Sequence, residues 1–150
     1  MKVIGNLHIL GQRSIIKMNA EPSSNFEYSG WVSEVSVSEN VTKGQLLCYN
    51  SADQRYRLAD ASDATKMPAR AVAVEDIDAG QSGLVLLYGT LKINSDNYTT
   101  PYIYVDPTTP GAKTNNKPAA IGNIVQKIAT PTKNNTAWYD FNTTTEEITA

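Results

Sequence analysis

Residue types able to carry covalent or acid–base chemistry are scarce in this chain. Among 150 residues there is one histidine, His8, and one cysteine, Cys48. Hydrolytic triads set a His or Lys base beside a nucleophile. His8 sits in an apolar N-terminal run, where it reads as structural or solvated rather than as a general base. Cys48 lies inside Gln45-Leu46-Leu47-Cys48-Tyr49, the setting of an inert buried thiol rather than a low-pKa nucleophile. One Cys and one His cannot complete a zinc site, and a lone cysteine closes no internal disulfide. No glycine-rich phosphate cradle is present. Carboxylates fall in two groups, Asp60 with Asp63, and Glu75 with Asp76 and Asp78. The second precedes Gly80 as a partial Asp-x-Asp-x-Gly pattern, but it lacks the third ligand and the downstream Glu of a calcium loop. Turn chemistry is therefore its expected role. These residues predict no enzyme, no cofactor and no metal.

With catalysis set aside, the elements must serve binding. Hydrophobic residues make up 41% and charged residues 19%, enough apolar material for one core and too much for a disordered chain. The formal charge is -2, so no basic excess suits nucleic acid or an anionic membrane. No stretch approaches the ~18 apolar residues that span a bilayer. The apolar run at the N-terminus is too short and too broken for a signal peptide. Asn and Thr are plentiful and helix formers thin, which favours short strands joined by polar loops.

Residues 1–25 form an expected arm and linker. Val3, Ile4, Leu7, Ile9 and Leu10 are apolar, Gly11-Gln12-Arg13 turns the chain, and Ile15 and Ile16 are apolar again. Such a strand-turn-strand unit has little of its own to bury it and needs a neighbour, either its own domain or another subunit. Residues 26–150 form the expected main domain. Residues 31–38 alternate, with Trp31, Val35 and Val37 predicted on one face of a half-buried strand. Residues 45–49 and 55–59 are further strands, and 60–66 suit a short helix or tight loop capped by Asp or Ser and ended by Pro68. Residues 69–75 form another strand. Residues 84–93 are the longest apolar run and are expected to cross the centre, with Gly89 marking a bulge or a close backbone approach. Residues 102–105, 121–128 and 137–141 complete the strands, and the tail from 142 onward is polar and expected to be mobile. The predicted fold is all-β, a compact antiparallel β-barrel or sandwich preceded by an extended N-terminal arm.

The motifs between Gly44 and Ala129 carry a resemblance. They include Tyr56-Arg57-Leu58-Ala59-Asp60-Ala61, Met67-Pro68-Ala69-Arg70-Ala71-Val72-Ala73 and Ile77-Asp78-Ala79-Gly80-Gln81-Ser82-Gly83. They continue through Tyr102-Ile103-Tyr104-Val105-Asp106-Pro107-Thr108-Thr109-Pro110-Gly111 to Gly122-Asn123-Ile124-Val125-Gln126-Lys127-Ile128-Ala129. This block resembles the small β-barrel domains of tailed-bacteriophage virion proteins, found in capsid decoration (cement) proteins, head fibres and some tail fibres. That family's pattern is G-x-x-V-Y-V-S-x-T-x-G, then G-x-x-V-Q-x-V-G. Here the leading Gly of the first is missing, and Ala129 replaces the last Gly of the second. A fainter likeness of Val41-Thr42-Lys43-Gly44-Gln45 and Ala64-Thr65-Lys66-Met67 to biotinyl carrier domains fails on spacing, and Thr65 stands where that family has Met.

The virion resemblance implies a structural protein made in the bacterial host cytoplasm and carried on the capsid surface. Its implied partners are the major capsid protein and itself, as a homotrimer. The arm residues Val3, Ile4, Leu7, Ile9, Leu10, Ile15 and Ile16 are the implied contacts. The alternative is a head- or tail-fibre adhesin, in which exposed tyrosines such as Tyr98, Tyr102 and Tyr139 would meet host glycans, although the stronger expectation is that most of these tyrosines face the core or a subunit interface.

Overall fold

The computed structural model describes residues 21–150 in full and, before them, the backbone of two short strands. These are β1 (His8–Leu10) and β2 (Arg13–Ile15), paired antiparallel with Ile9 opposite Ser14. The strand-turn-strand pattern of the arm is thus present in the backbone.

The body is built on β3 (Tyr28–Ser36), β4 (Leu46–Asn50), β5 (Arg55–Leu58), β6 (Ala69–Ala73) and β7 (Ser82–Lys92). It continues with β8 (Ile103–Val105), β9 (Lys113–Thr114), β11 (Lys127–Lys133) and β12 (Thr136–Asp140). These nine form one sheet, antiparallel at every strand pair. Residues 60–66 make a tight loop with one 3-10 turn, Ala64–Lys66, whose N-cap Asp63 accepts from the Thr65 N–H at 2.9 Å.

The long apolar strand is the spine. β3 runs beside the whole of β7, while the other edge of β7 is shared, β6 taking Val85 and Leu86 and β12 taking Tyr88 to Lys92. The sheet forks between them at a bulge. Trp31 pairs with Tyr88 and Val32 with Leu86, so Leu87 has no partner in β3. The extra residue shifts the phase of the strand. Leu86 and Leu91 are five apart and would face opposite ways in an unbroken strand, yet both enter the same core.

The fork produces two cores on opposite faces of β4, β6 and β7. On one face the chain nearly closes into a small barrel. The end of β3 returns to β5, where the Ser38 N–H donates to the Tyr56 carbonyl at 2.9 Å and Val37 bridges Tyr56 in parallel. Val37, Leu47, Ala71, Ala73 and Val85 fill this barrel. On the other face, β12, β11 and β8 fold over to sandwich Leu46, Leu86, Leu91, Ile103, Ile128 and Tyr139. Strands buried on both faces read as continuous apolar runs, which accounts for Gln45-Leu46-Leu47-Cys48 and Ala71-Val72-Ala73.

Gly89 does sit at a close backbone approach, and its partner across the ladder is Gly30. A Cβ on Gly30 would collide with the Tyr88 carbonyl oxygen and lie 2.8 Å from the Gly89 Cα.

Three sequence expectations need correction. Val35 and Val37 pack toward the barrel core, but Trp31 is 56% exposed, because β3 has passed the bulge and left the barrel by that point. Residues 121–128 are not one strand. Ile121 is exposed, and β10 (Ile124–Val125) is separated from β11 by Gln126. The polar tail is also paired, since β13 (Glu146–Glu147) lies against β10 and the Ile148 N–H donates to the Asn123 carbonyl at 2.9 Å. Backbone pairing leaves no mark in side-chain polarity, so this contact was invisible in the sequence.

Gln126 holds this corner together. Its Oε1 accepts from the Ala69 N–H at 2.8 Å, and its Nε2 donates to the carbonyls of Ala69 at 2.9 Å and Asn142 at 2.7 Å. Both Gln126 and Ala69 are buried. Gln126→Leu keeps the volume and strands the Ala69 backbone groups, so it is expected to cost about 2–4 kcal/mol in urea unfolding. A loss below about 1 kcal/mol would show that these bonds are replaced by others.

Candidate interaction surface

The arm residues singled out in the sequence divide by what the structure describes. Ile9, Leu10 and Ile15 lie in the β1–β2 hairpin, with Ile9 opposite Ser14 and Leu10 opposite Arg13. Val3, Ile4, Leu7 and Ile16 lie outside the described residues.

The body contributes a feature that pattern reading missed, an open sheet edge. The Val37 N–H donates to the Gln81 carbonyl at 3.0 Å, and Glu27 accepts from Lys92 at 3.0 Å, so the odd-numbered residues of β3 face β7. Alternation then turns the backbone groups of Val32, Glu34 and Ser36 the other way. At the Ser38 N–H and, through the parallel Val37–Tyr56 bridge, at the Ser36 carbonyl that outer edge is caught by β5. Across β3 itself the only strand partner among the described residues is β7. Edge strands are usually blunted with Lys, Pro or an inward charge. β3 has neither Lys nor Pro, and its single charged residue is Glu34. Its middle is apolar on both faces, with Trp31 56% and Val32 41% exposed.

Trp31 begins an aromatic row across three neighbouring strands. Its ring lies 5.4 Å from Tyr88 at 41°, and Tyr88 lies 5.0 Å from Trp138 at 90°. Tilted and edge-on contacts are the favoured way for rings to pack together. They do not give the flat platform on which a sugar ring stacks.

The tyrosines proposed for glycans are mostly internal. Tyr139 is fully buried and Tyr98 packs against the same core. Tyr102 is the exposed one at 43%, with Lys127 Nζ 4.0 Å over its ring. Tyr98 and Tyr139 instead join a polar network. The Tyr98 hydroxyl donates to Asp96 Oδ2 at 2.5 Å and lies 3.2 Å from the Tyr139 hydroxyl. Lys113 Nζ lies 3.3 Å from the same Asp96 oxygen and donates to the Gly44 carbonyl at 3.2 Å. Burial, with Asp96 and Tyr139 beside it, drives the Tyr98 hydroxyl far up from its ordinary range. Burial alone would lower Lys113, but Asp96 and Tyr139 more than offset it, and its ammonium is held charged. An open hollow of about 290 Å³ lies alongside, lined by Phe26, Lys43, Gly111 and Lys113 among others. The network's polar groups are spent on each other and on Gly44, which ties the loops around residues 44, 96 and 113 together rather than presenting a free base.

The remaining reactive types are similarly engaged. Cys48 is buried, which pushes its thiol up, and its Sγ lies 3.8 Å from the Leu58 carbonyl. Glu75 accepts from the Leu84 N–H at 2.7 Å and Asp76 from the Lys43 N–H at 2.9 Å, so these carboxylates serve separate turns. Among the described residues no three of His, Cys, Asp and Glu group in a way that could hold a metal.

Comparison with protein-family models, with curated proteins and with solved structures gives no match to this chain.

Proposed function

We propose that this chain is a structural virion protein of a tailed bacteriophage, a cement or decoration protein that binds the outer capsid surface and stabilises capsomer contacts. Its partners are the major capsid protein and further copies of itself, as a homotrimer. It is made in the bacterial host cytoplasm and resides on the capsid, with no role for nucleic acid, membrane, cofactor or catalysis.

The observation that carries this reading is the apolar hairpin of the arm, paired within itself, ahead of a compact β body with an open edge. Such a pair suits β-strand addition, in which backbone hydrogen bonds supply affinity and side chains supply register. Many copies on a repeating lattice would then turn modest single contacts into high avidity. The motif resemblance between Gly44 and Ala129 supports the virion setting. The engaged carboxylates and the buried thiol favour binding over chemistry. The adhesin reading rested on exposed tyrosines, and of the three named only Tyr102 is largely exposed, Tyr98 being half-buried and Tyr139 fully buried.

Cosedimentation of the full chain with capsids lacking it tests the proposal. Wild-type chain is expected to pellet with capsids. The triple variant Ile9→Asp, Leu10→Asp, Ile15→Asp should bind at least about tenfold more weakly with the body's melting unchanged. Equal binding by both, or no binding by wild type, would overturn it.

A further inference from the structure

We infer that the open edge of β3 is an acceptor for the N-terminal β1–β2 hairpin of a second copy of this chain. The first support is geometric. The outward backbone groups of Val32 and Glu34 and the Ser36 N–H form a row without a strand partner among the described residues, beside exposed Trp31 and Val32, and the row ends where the parallel Val37–Tyr56 bridge engages the Ser36 carbonyl. Each strand of the β1–β2 hairpin uses one edge for its own pairing and has no other strand partner among the described residues, which leaves an outer edge to extend another sheet.

The second support is charge. Residues 1–20 hold Lys2, Arg13 and Lys17, three of the 13 Lys and Arg, and none of the 15 Asp and Glu. The arm is therefore +3, and the other 130 residues, with ten cations against 15 carboxylates, are -5. A basic arm and an acidic body attract each other, and Glu34 places one carboxylate on the acceptor strand itself.

The third support is the route of the chain, which favours a second copy over the arm's own body. Glu21 is fastened to the end of β11, with Lys133 Nζ at 2.7 Å and the Thr132 hydroxyl donating to it at 3.1 Å. In the sheet, β11 lies three strands from β3, through β12 and β7. At about 4.8 Å per strand that is roughly 14 Å from the open edge, on the far side of the spine. Glu21, where the arm joins the body, thus sits across the spine from the body's own acceptor edge, which favours the edge of a neighbouring copy. An arm-to-edge contact is head-to-tail, so repeated copies close into a ring where the rotation between them closes and extend as a filament where it does not. Only the ring order of three rests on the cement reading, and self-association is measured without any capsid.

Amide hydrogen exchange and sedimentation velocity on the full chain test this together across concentration. The amides of Glu34 and Ser36 are expected to slow at least about tenfold over the range in which the chain associates. Glu34→Pro removes an outward N–H, a change that edge strands tolerate, and should weaken association at least about tenfold with melting close to wild type. If Glu34→Pro fails to fold, Arg13→Glu with Lys17→Glu decides, since it leaves the body untouched. It should weaken association at low salt, with the difference from wild type shrinking at about 1 M salt. A chain that stays monomeric overturns the proposal. So does association that survives these changes. Protection of Glu34 and Ser36 at every concentration in a monomer would give the edge to the chain's own arm and equally overturn it.

Discussion

Tyr139→Ala is expected to cost about 4 kcal/mol, because removing a fully buried aromatic leaves a cavity that the surrounding core fills only in part. Tyr139 is 0% exposed and sits on β12, where the sandwich core meets the polar network. Its ring stacks with Phe141 at 5.8 Å, and its hydroxyl lies 3.2 Å from that of Tyr98. The substitution opens the core and also removes one member from the group around Asp96 and Lys113. For a domain of this size the change should lower the melting temperature by about 8–16 °C. Tyr139→Phe separates the two effects, since it keeps the ring and deletes only the hydroxyl, at about 1 kcal/mol. Near-ultraviolet circular dichroism during thermal unfolding reads both. If the Phe variant loses as much as the Ala variant, the hydroxyl network and not ring burial holds this part of the fold.

Gly30→Ala is expected to cost about 3 kcal/mol or more, from a smaller chemical change. Gly30 has φ 152° and faces Gly89 where β3 crosses the spine. An added methyl meets the Tyr88 carbonyl and the Gly89 Cα, and both are backbone, which cannot rotate aside. The two longest strands would have to separate beside the bulge, which would also distort the acceptor edge. Gly122→Ala is the control. That residue also has a positive φ of 86°, but a Cβ there meets nothing within 4 Å. It should cost only the conformational penalty, about 1–2 kcal/mol. Chemical denaturation of both variants measures the difference, and equal losses would mean that φ alone, and not the close crossing, makes Gly30 irreplaceable.

Much of the body was legible in the sequence because burial wrote it there. β4, β6 and β7 have apolar runs that only strands covered on both faces can sustain, and Gly89 marked a backbone crossing. The features that escaped are those set by topology. Whether β3 is an edge or an interior strand depends on which strands come to lie beside it, and its own alternation is the same either way. Trp31 shares the parity of Val35 and Val37, but a bulge in β7 ends the barrel core before reaching it. Glu146 and Glu147 pair through backbone alone, so their side chains gave no sign of it. For Tyr98 and Tyr139 a core or interface position was the stronger reading of the sequence, and each ring does enter the core, while the hydroxyl network they share left no sign in the pattern. Of the proposed arm contacts, the pattern was sufficient to place the hairpin of Ile9, Leu10 and Ile15. What that hairpin binds is a property of two molecules, which one sequence does not encode by pattern.

The proposed cement role is tested most directly by electron microscopy of purified virions from the cells that make this chain, labelled with gold-conjugated antibody against it. Gold spread over the whole head is the expected result. Gold confined to the tail or to a single vertex, or particles carrying none, would contradict it.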